Sequence, residues 1–151
     1  MSHIPSFTDR MKEKGLIDDN KRQSPNPFVQ RWPFNMLLTG ETGSGKTNLV
    51  LIQLSDDREG IESIRLPYDR LYLYAEHLEH DPEWLFFIDS CRRAEMIAKQ
   101  QFLWLSTDLD GVIPCDDLDP SYQNLAIFDD FMNKKNQEVI IDYFSRGRHM
   151  N

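Results

Sequence analysis

A lysine followed directly by a threonine closes the run Gly40-Glu41-Thr42-Gly43-Ser44-Gly45-Lys46-Thr47. Two glycines bracket four residues ahead of the Lys-Thr pair, the spacing of a loop that wraps a polyphosphate. Glycine lets successive backbone N–H groups turn inward with no Cβ in the way. The N–H groups of Thr42, Gly43, Ser44, Gly45, Lys46, Thr47 and Asn48 are the donors on offer, and Gly40 makes the opening turn. A helix starting near Gly45 would add unsatisfied N–H groups and a positive dipole end. Lys46 would then reach the outer phosphates of a nucleotide, and the Thr47 hydroxyl a Mg²⁺ ion. The competing reading is a glycine-rich turn that binds nothing, and the full spacing weighs against it.

A second chemical feature stands some eighty residues later, where Asn124-Leu125-Ala126-Ile127-Phe128-Asp129-Asp130 delivers two carboxylates at the end of an apolar run. Strands buried on both faces of a parallel sheet read as such runs, and α/β sites collect at their carboxyl ends. Asp129 would hold the Mg²⁺ from the side opposite Thr47, and Asp130 would polarise an attacking water. Alternation along a strand would turn the two side chains to opposite faces and divide the labour. Asp130 is one methylene shorter than a glutamate in that role, which predicts slower hydrolysis or a closer approach.

The elements that must position these groups are legible around them. Phe34-Asn35-Met36-Leu37-Leu38-Thr39 reads as a short buried strand ahead of the loop, and Asn48-Leu49-Val50-Leu51-Ile52-Gln53-Leu54 continues a helix behind it. Arg70-Leu71-Tyr72-Leu73-Tyr74-Ala75 is a strand by its aromatic and apolar content. Together they predict one β-α-β unit, with the first and second strands a parallel pair. Asp81-Pro82 opens a helix running to about Gln101, with Asp81 as its cap and Pro82 at its first position. Phe102 to Ser106 reads as another strand, and Val139, Ile140, Tyr143 and Phe144 recur at helical spacing between Asn136 and Phe144.

The 151 residues suffice for one core of ordinary size, and 40% hydrophobic with 28% charged residues is a globular balance. A net charge of −8 argues against a chain that coats nucleic acid through its overall field, though not against one that grips DNA with a few loops. Cys91 and Cys115 have no paired spacing, so neither zinc nor a disulfide framework is indicated. No membrane-length apolar run and no signal-peptide pattern occur, which predicts a soluble, intracellular chain, cytoplasmic or nuclear.

Other candidates read as structure. Residues 1–30 lack a clear period and close on Ser24-Pro25-Asn26-Pro27; the expectation is an adaptable N-terminal arm with one short helix near Phe7 to Lys14. Phe28, Trp32 and Phe34 could stack on a base, but aromatic residues beside a strand are more often core. His77 and His80, among Glu76, Glu79 and Asp81, have metal-ligand types without a second cluster, and a solvated loop is the better reading. Asp108, Asp110, Asp116, Asp117 and Asp119 lack the order of a calcium loop and read as an exposed connection.

The segment Arg31-Trp32-Pro33-Phe34-Asn35-Met36 leading into the loop, the Asp129-Asp130 pair and the ending Tyr143-Phe144-Ser145-Arg146-Gly147-Arg148-His149 together resemble the poxvirus-type DNA-packaging ATPases of large DNA viruses, within the FtsK/HerA superfamily. The resemblance covers residues 31–151. It implies an α/β P-loop NTPase fold with a RecA-like, mostly parallel sheet flanked by helices, ATP hydrolysis with Mg²⁺, ring assembly from copies of the chain, and movement of double-stranded DNA. It carries the nucleotide positions to Gly40, Gly45, Lys46 and Thr47, and the acidic pair to Asp129 and Asp130. Arg146 and Arg148 could act as fingers to a neighbouring subunit's γ-phosphate, or equally as cations at a helix C-terminus.

In that family a further strand follows the Arg-Gly-Arg-His segment and lies between the loop strand and the Asp-Asp strand. The sequence stops before it, so the expectation for 31–151 is a partial domain, with that slot empty, refilled or closed up. Three alternatives stand beside the motor: a nucleotide-binding remnant without turnover, a small-molecule or nucleotide kinase, for which no arginine lid stands out, and a GTPase, for which no base-reading Lys-x-Asp segment occurs. The expected outcome for this stretch alone is weak nucleotide binding and poor hydrolysis. A phosphate-release assay giving a turnover of about 1 per second or more, ordinary for a competent enzyme, would refute it.

Overall fold

A computed structural model describes residues 22–131 and 133–147. Three strands, β1 (Arg70–Ala75), β2 (Leu103–Ser106) and β3 (Asn124–Asp129), form one parallel sheet in the order β2-β1-β3. Three helices accompany it: α1 (Lys46–Ser55), α2 (Pro82–Ala98) and α3 (Glu138–Arg146). The fold is therefore α/β, with a small parallel sheet flanked by helices.

The strand periodicity sorts two cores. Leu71, Leu73 and Ala75 of β1 and Leu125 and Ile127 of β3 face one side, where Val50, Leu51 and Leu54 of α1 and Trp84, Phe87 and Cys91 of α2 pack on them. Tyr72, Tyr74, Ala126 and Phe128 face the other, against Tyr143 of α3 and the connection that carries Val112, Cys115 and Leu118. On that second face Tyr72 stacks on Trp104 with centroids 4.9 Å apart. Tyr74 accepts from Ile113 N, and Tyr143 donates to Ile113 O, so two phenols fasten the acidic connection, one to the sheet and one to α3. Both cysteines are buried free thiols, and burial pushes the Cys91 thiol up to about 11.

The termini of these elements follow from local chemistry. Asp81 caps α2 by accepting from Glu83 N and Trp84 N, with Pro82 next to it, as the sequence predicts. At the other end Lys99 adopts a left-handed conformation and stops the helix at Ala98. Glu95, one turn earlier, reaches β2: its Oε1 accepts from Phe102 N at 2.8 Å and Leu103 N at 2.7 Å, while Oε2 pairs with Arg92 at 2.7 Å. At the amino ends of β1 and β3, buried Gln123 accepts from Arg22 N and donates to Pro67 O, and its backbone is bonded to Asp69 in both directions.

One expectation fails. Residues 34–39 form no strand and join no sheet among the described residues, so the anticipated parallel pair with β1 is absent. β1 is flanked by β2 and β3 instead, and both of its edges are taken. Leu37 is 77% exposed, which no interior strand would allow. Of the three aromatic residues there, Trp32 is buried, Phe34 is half-buried and edge-on to it at 5.6 Å, and Phe28 is 93% exposed and belongs to no core. The stretch 22–30 is bonded to the body through Arg22 with Asp69 and Gln123, and Gln23 with Trp32. The helix expected near Phe7 to Lys14 lies outside the described residues.

Glu95 makes a pH prediction. Burial raises its pKa, but Arg92 and the Leu103 and Phe102 N–H groups outweigh burial and leave it below the usual carboxylate value of 4.5. A lowered folded-state pKa gives stability that is present above the unfolded value and lost as pH falls through the folded one. Glu95→Gln should therefore flatten the fall in stability on acidification from about pH 4.5 downward, read from urea midpoints at several pH values. An unchanged acid slope would remove Glu95 from the account.

Candidate functional site

The glycine-rich segment forms a turn that runs directly into α1. Ser44 N donates to Glu41 O at 3.1 Å, and Gly43 and Gly45 take φ of 80° and 86°, a region open to glycine at little cost. Gly45 is the N-cap of α1 and has no side chain with which to cap it, so its neighbours' N–H groups are left for an external acceptor. Lys46 folds back over the turn, its Nζ donating to Gly40 O and Glu41 O at 2.8 Å each and lying 3.4 Å from Ser44 Oγ. To engage an anion the ammonium would exchange those carbonyls for anionic oxygens. Residues 39–45 are exposed, while Lys46 and Thr47 are half-buried.

The placement of α1 on the sheet follows from packing. Leu66 N donates to Gln53 O, and the Tyr68 hydroxyl donates to Leu54 O, so the C-terminal end of α1 sits beside the approach to β1. Val50 and Leu51, a turn earlier, pack into the same core as β1. The C-terminal half of α1 thus packs on this sheet face, and at about 1.5 Å per residue the glycine-rich turn lies about 15 Å along the helix from its far end. Asp129 follows Leu125 and Ile127 at two-residue intervals on β3, so it projects on the α1 side at the strand's carboxyl end. The helix that follows the loop and the carboxylate therefore lie on one face of the sheet.

Asp129 is held. Its Oδ2 accepts from Trp84 Nε1 at 2.9 Å, a donor buried at the first turn of α2. Nothing local in the sequence signals Trp84 as a partner 45 positions away. Asp129 and Asp130 line a cavity of about 380 Å³ with Trp84, Asp81, His77 and His80, and no residue of the glycine-rich turn is in its lining.

Asp130 departs from expectation. It lies one residue past β3, with φ of 61°, and is exposed. Strand alternation no longer applies to it, and instead of facing away from Asp129 it borders the same cavity. Aspartate tolerates the left-handed region better than most residues, because its short side chain bonds locally.

Around this rim Lys134 pairs with Glu76 at 2.6 Å, and its hydrogen bond holds the Glu76 carboxyl below the usual range. His77 and His80 lie 4.0 and 3.8 Å from Glu76 and Glu79, and among the described residues no group of three or more His, Cys, Asp or Glu side chains is arranged to hold a metal ion by itself. Arg146 is engaged within its own chain, by Asp116 at 3.0 Å and Asp142 at 2.9 Å. Arg148 lies outside the described residues. No helix among the described residues is long and apolar enough to cross a membrane.

Compared with family profiles, curated proteins and solved structures, the chain matches none.

The turn's conformation gives a direct test. An alanine at Gly45 meets no steric obstacle, but it must hold a φ that L-residues disfavour. Gly45→Ala should cost about 1 kcal/mol in urea denaturation, and a stabilised variant would mean the turn is not held as described.

Proposed function

We propose that the chain binds a nucleoside triphosphate, ATP, through the turn from Gly40 to Thr47 together with Mg²⁺, in the manner of the DNA-packaging and translocating ATPases that it resembles. The observation that carries this reading is the glycine-rich turn opening directly into α1, a helix that packs on the sheet face from which Asp129 projects. Backbone N–H groups of residues 42–48 would donate to phosphate oxygens, and Lys46 would add a mobile cation to them. The Thr47 hydroxyl and the Asp129 carboxylate are hard oxygen donors, the set that suits Mg²⁺. When bound, that ion would neutralise charge on the phosphate oxygens. Asp130, exposed beside Asp129, is the carboxylate available to orient a water, and hydrolysis coupled to double-stranded DNA in a ring of copies is the full activity that the resemblance carries.

A second reading, a nucleotide binder without turnover, draws support from the left-handed, solvent-exposed placement of Asp130 outside the strand. A kinase reading has no observation in its favour.

Binding of a fluorescent ATP analogue with and without Mg²⁺, followed by phosphate release with and without double-stranded DNA, separates these readings. The expected result is Mg²⁺-enhanced binding that Lys46→Ala weakens at least about tenfold, the size of one charge-assisted contact. Release stimulated by DNA selects the motor, and binding without release selects the inactive binder. Equal binding by the wild-type chain and Lys46→Ala would sink the nucleotide assignment.

A further inference from the structure

Trp84 stands where two carboxylates from different parts of the chain converge. Its backbone N–H donates to Asp81 Oδ1 at 3.2 Å, and its indole N–H donates to Asp129 Oδ2 at 2.9 Å. Asp81 belongs to the connection after β1 and Asp129 closes β3, so this single residue ties together the ends of two neighbouring strands. The indole is 2% exposed and packed edge-on to Phe87 with centroids 6.1 Å apart. A ring so enclosed cannot swing to find another acceptor, and a buried N–H without an acceptor is costly. The carboxylate is therefore held by a donor that is itself immobile.

We infer that Trp84 is a positioning residue for Asp129: it fixes one carboxylate oxygen through the indole N–H and thereby orients the other for a cation at the rim of the sheet. This rests on the nucleotide and Mg²⁺ reading for its functional consequence, while the contact itself does not. An aspartate at a strand end has two side-chain torsions to lose on binding a cation, and the indole removes that freedom beforehand. Pre-organisation of this kind raises affinity for the ion without adding a ligand.

Proton–nitrogen correlation spectra of the full chain contain indole N–H signals from three tryptophans, Trp32, Trp84 and Trp104. Trp84→Phe keeps the ring and removes the donor, so the signal it deletes is that of Trp84. Asp129→Ala should shift that signal upfield and speed its exchange with water, whereas Asp130→Ala should leave it in place. A Trp84 signal indifferent to Asp129→Ala overturns the inference, whatever the chain does with nucleotide. In affinity measurements, Trp84→Phe should lose about tenfold of the gain that Mg²⁺ gives to nucleotide binding, while Mg²⁺-free binding stays unchanged. A merely structural role would lower both affinities together, and that result would also overturn it. If the wild-type chain binds no nucleotide yet Asp129→Ala still moves the Trp84 signal, the nucleotide reading fails and the orienting contact stands.

Discussion

The parallel ladder between β1 and β3 is the constraint on which the remainder depends. Its register runs from Arg70 opposite Asn124 to Ala75 opposite Asp129. Because side chains alternate, a slip of one residue would send Asp129 to the tyrosine face, away from α1 and Trp84. The register is fixed at the far end, where Asp69 N and Arg70 N both donate to Gln123 O and Asp69 Oδ2 accepts from Gln123 N. Polar pins at the amino ends of the strands thus determine which face the carboxylate meets at the other end, roughly 20 Å away at about 3.3 Å per residue.

The two faces of the sheet do different things with the same strands. On the α1 and α2 side the packing is largely apolar, and the indole N–H of Trp84 at its rim is directed at Asp129. On the other side Tyr72, Tyr74 and Tyr143 carry hydroxyls into the interior, and each must find a partner there. Ile113 supplies both backbone groups for two of them, and Tyr72 reaches Asn124 at 3.4 Å. That is why the connection after β2, acidic and rich in proline, is nonetheless held against the sheet. Arg146 extends the same fastening from α3 to Asp116, which occupies its charge within the chain.

Much of this was legible. β1 coincides with the predicted Arg70 to Ala75, and β3 with the apolar run ending at Asp129, because strands that send side chains into a core on each face announce themselves by composition. The start of α2 was legible from Asp81 and Pro82, since capping is local chemistry. What was not legible depends on distant partners. Residues 34–39 have the composition of a strand, but a strand exists only where a ladder forms: the expected partner β1 gives both edges to β2 and β3, and among the described residues 34–39 pair with neither outer edge of the sheet. The Trp84 to Asp129 bond joins two elements whose approach is set by packing. The left-handed turn at Asp130 ends the alternation from which its orientation had been read.

The position of the glycine-rich turn is consequently governed in an uncommon way. In a sheet that included residues 34–39, a backbone ladder would fix the spacing between turn and carboxylate; here no such ladder connects them. Residues 34–39 are attached at their flanks, by Asn35 donating to Phe144 O at 2.7 Å and Gln30 to Met36 Sδ at 3.1 Å. What holds α1, and with it the turn, to the sheet is the burial of Leu54, with Val50 and Leu51, in the core under β1 and β3. Side-chain packing resists separation of α1 from the sheet more than it resists sliding along it, because apolar contact is non-directional. A ligand bonded to the turn and to Asp129 together would have to supply the directional constraint that the missing ladder does not. Part of its binding free energy would go into setting that distance, so the affinity of the site measures how well α1 alone has already set it.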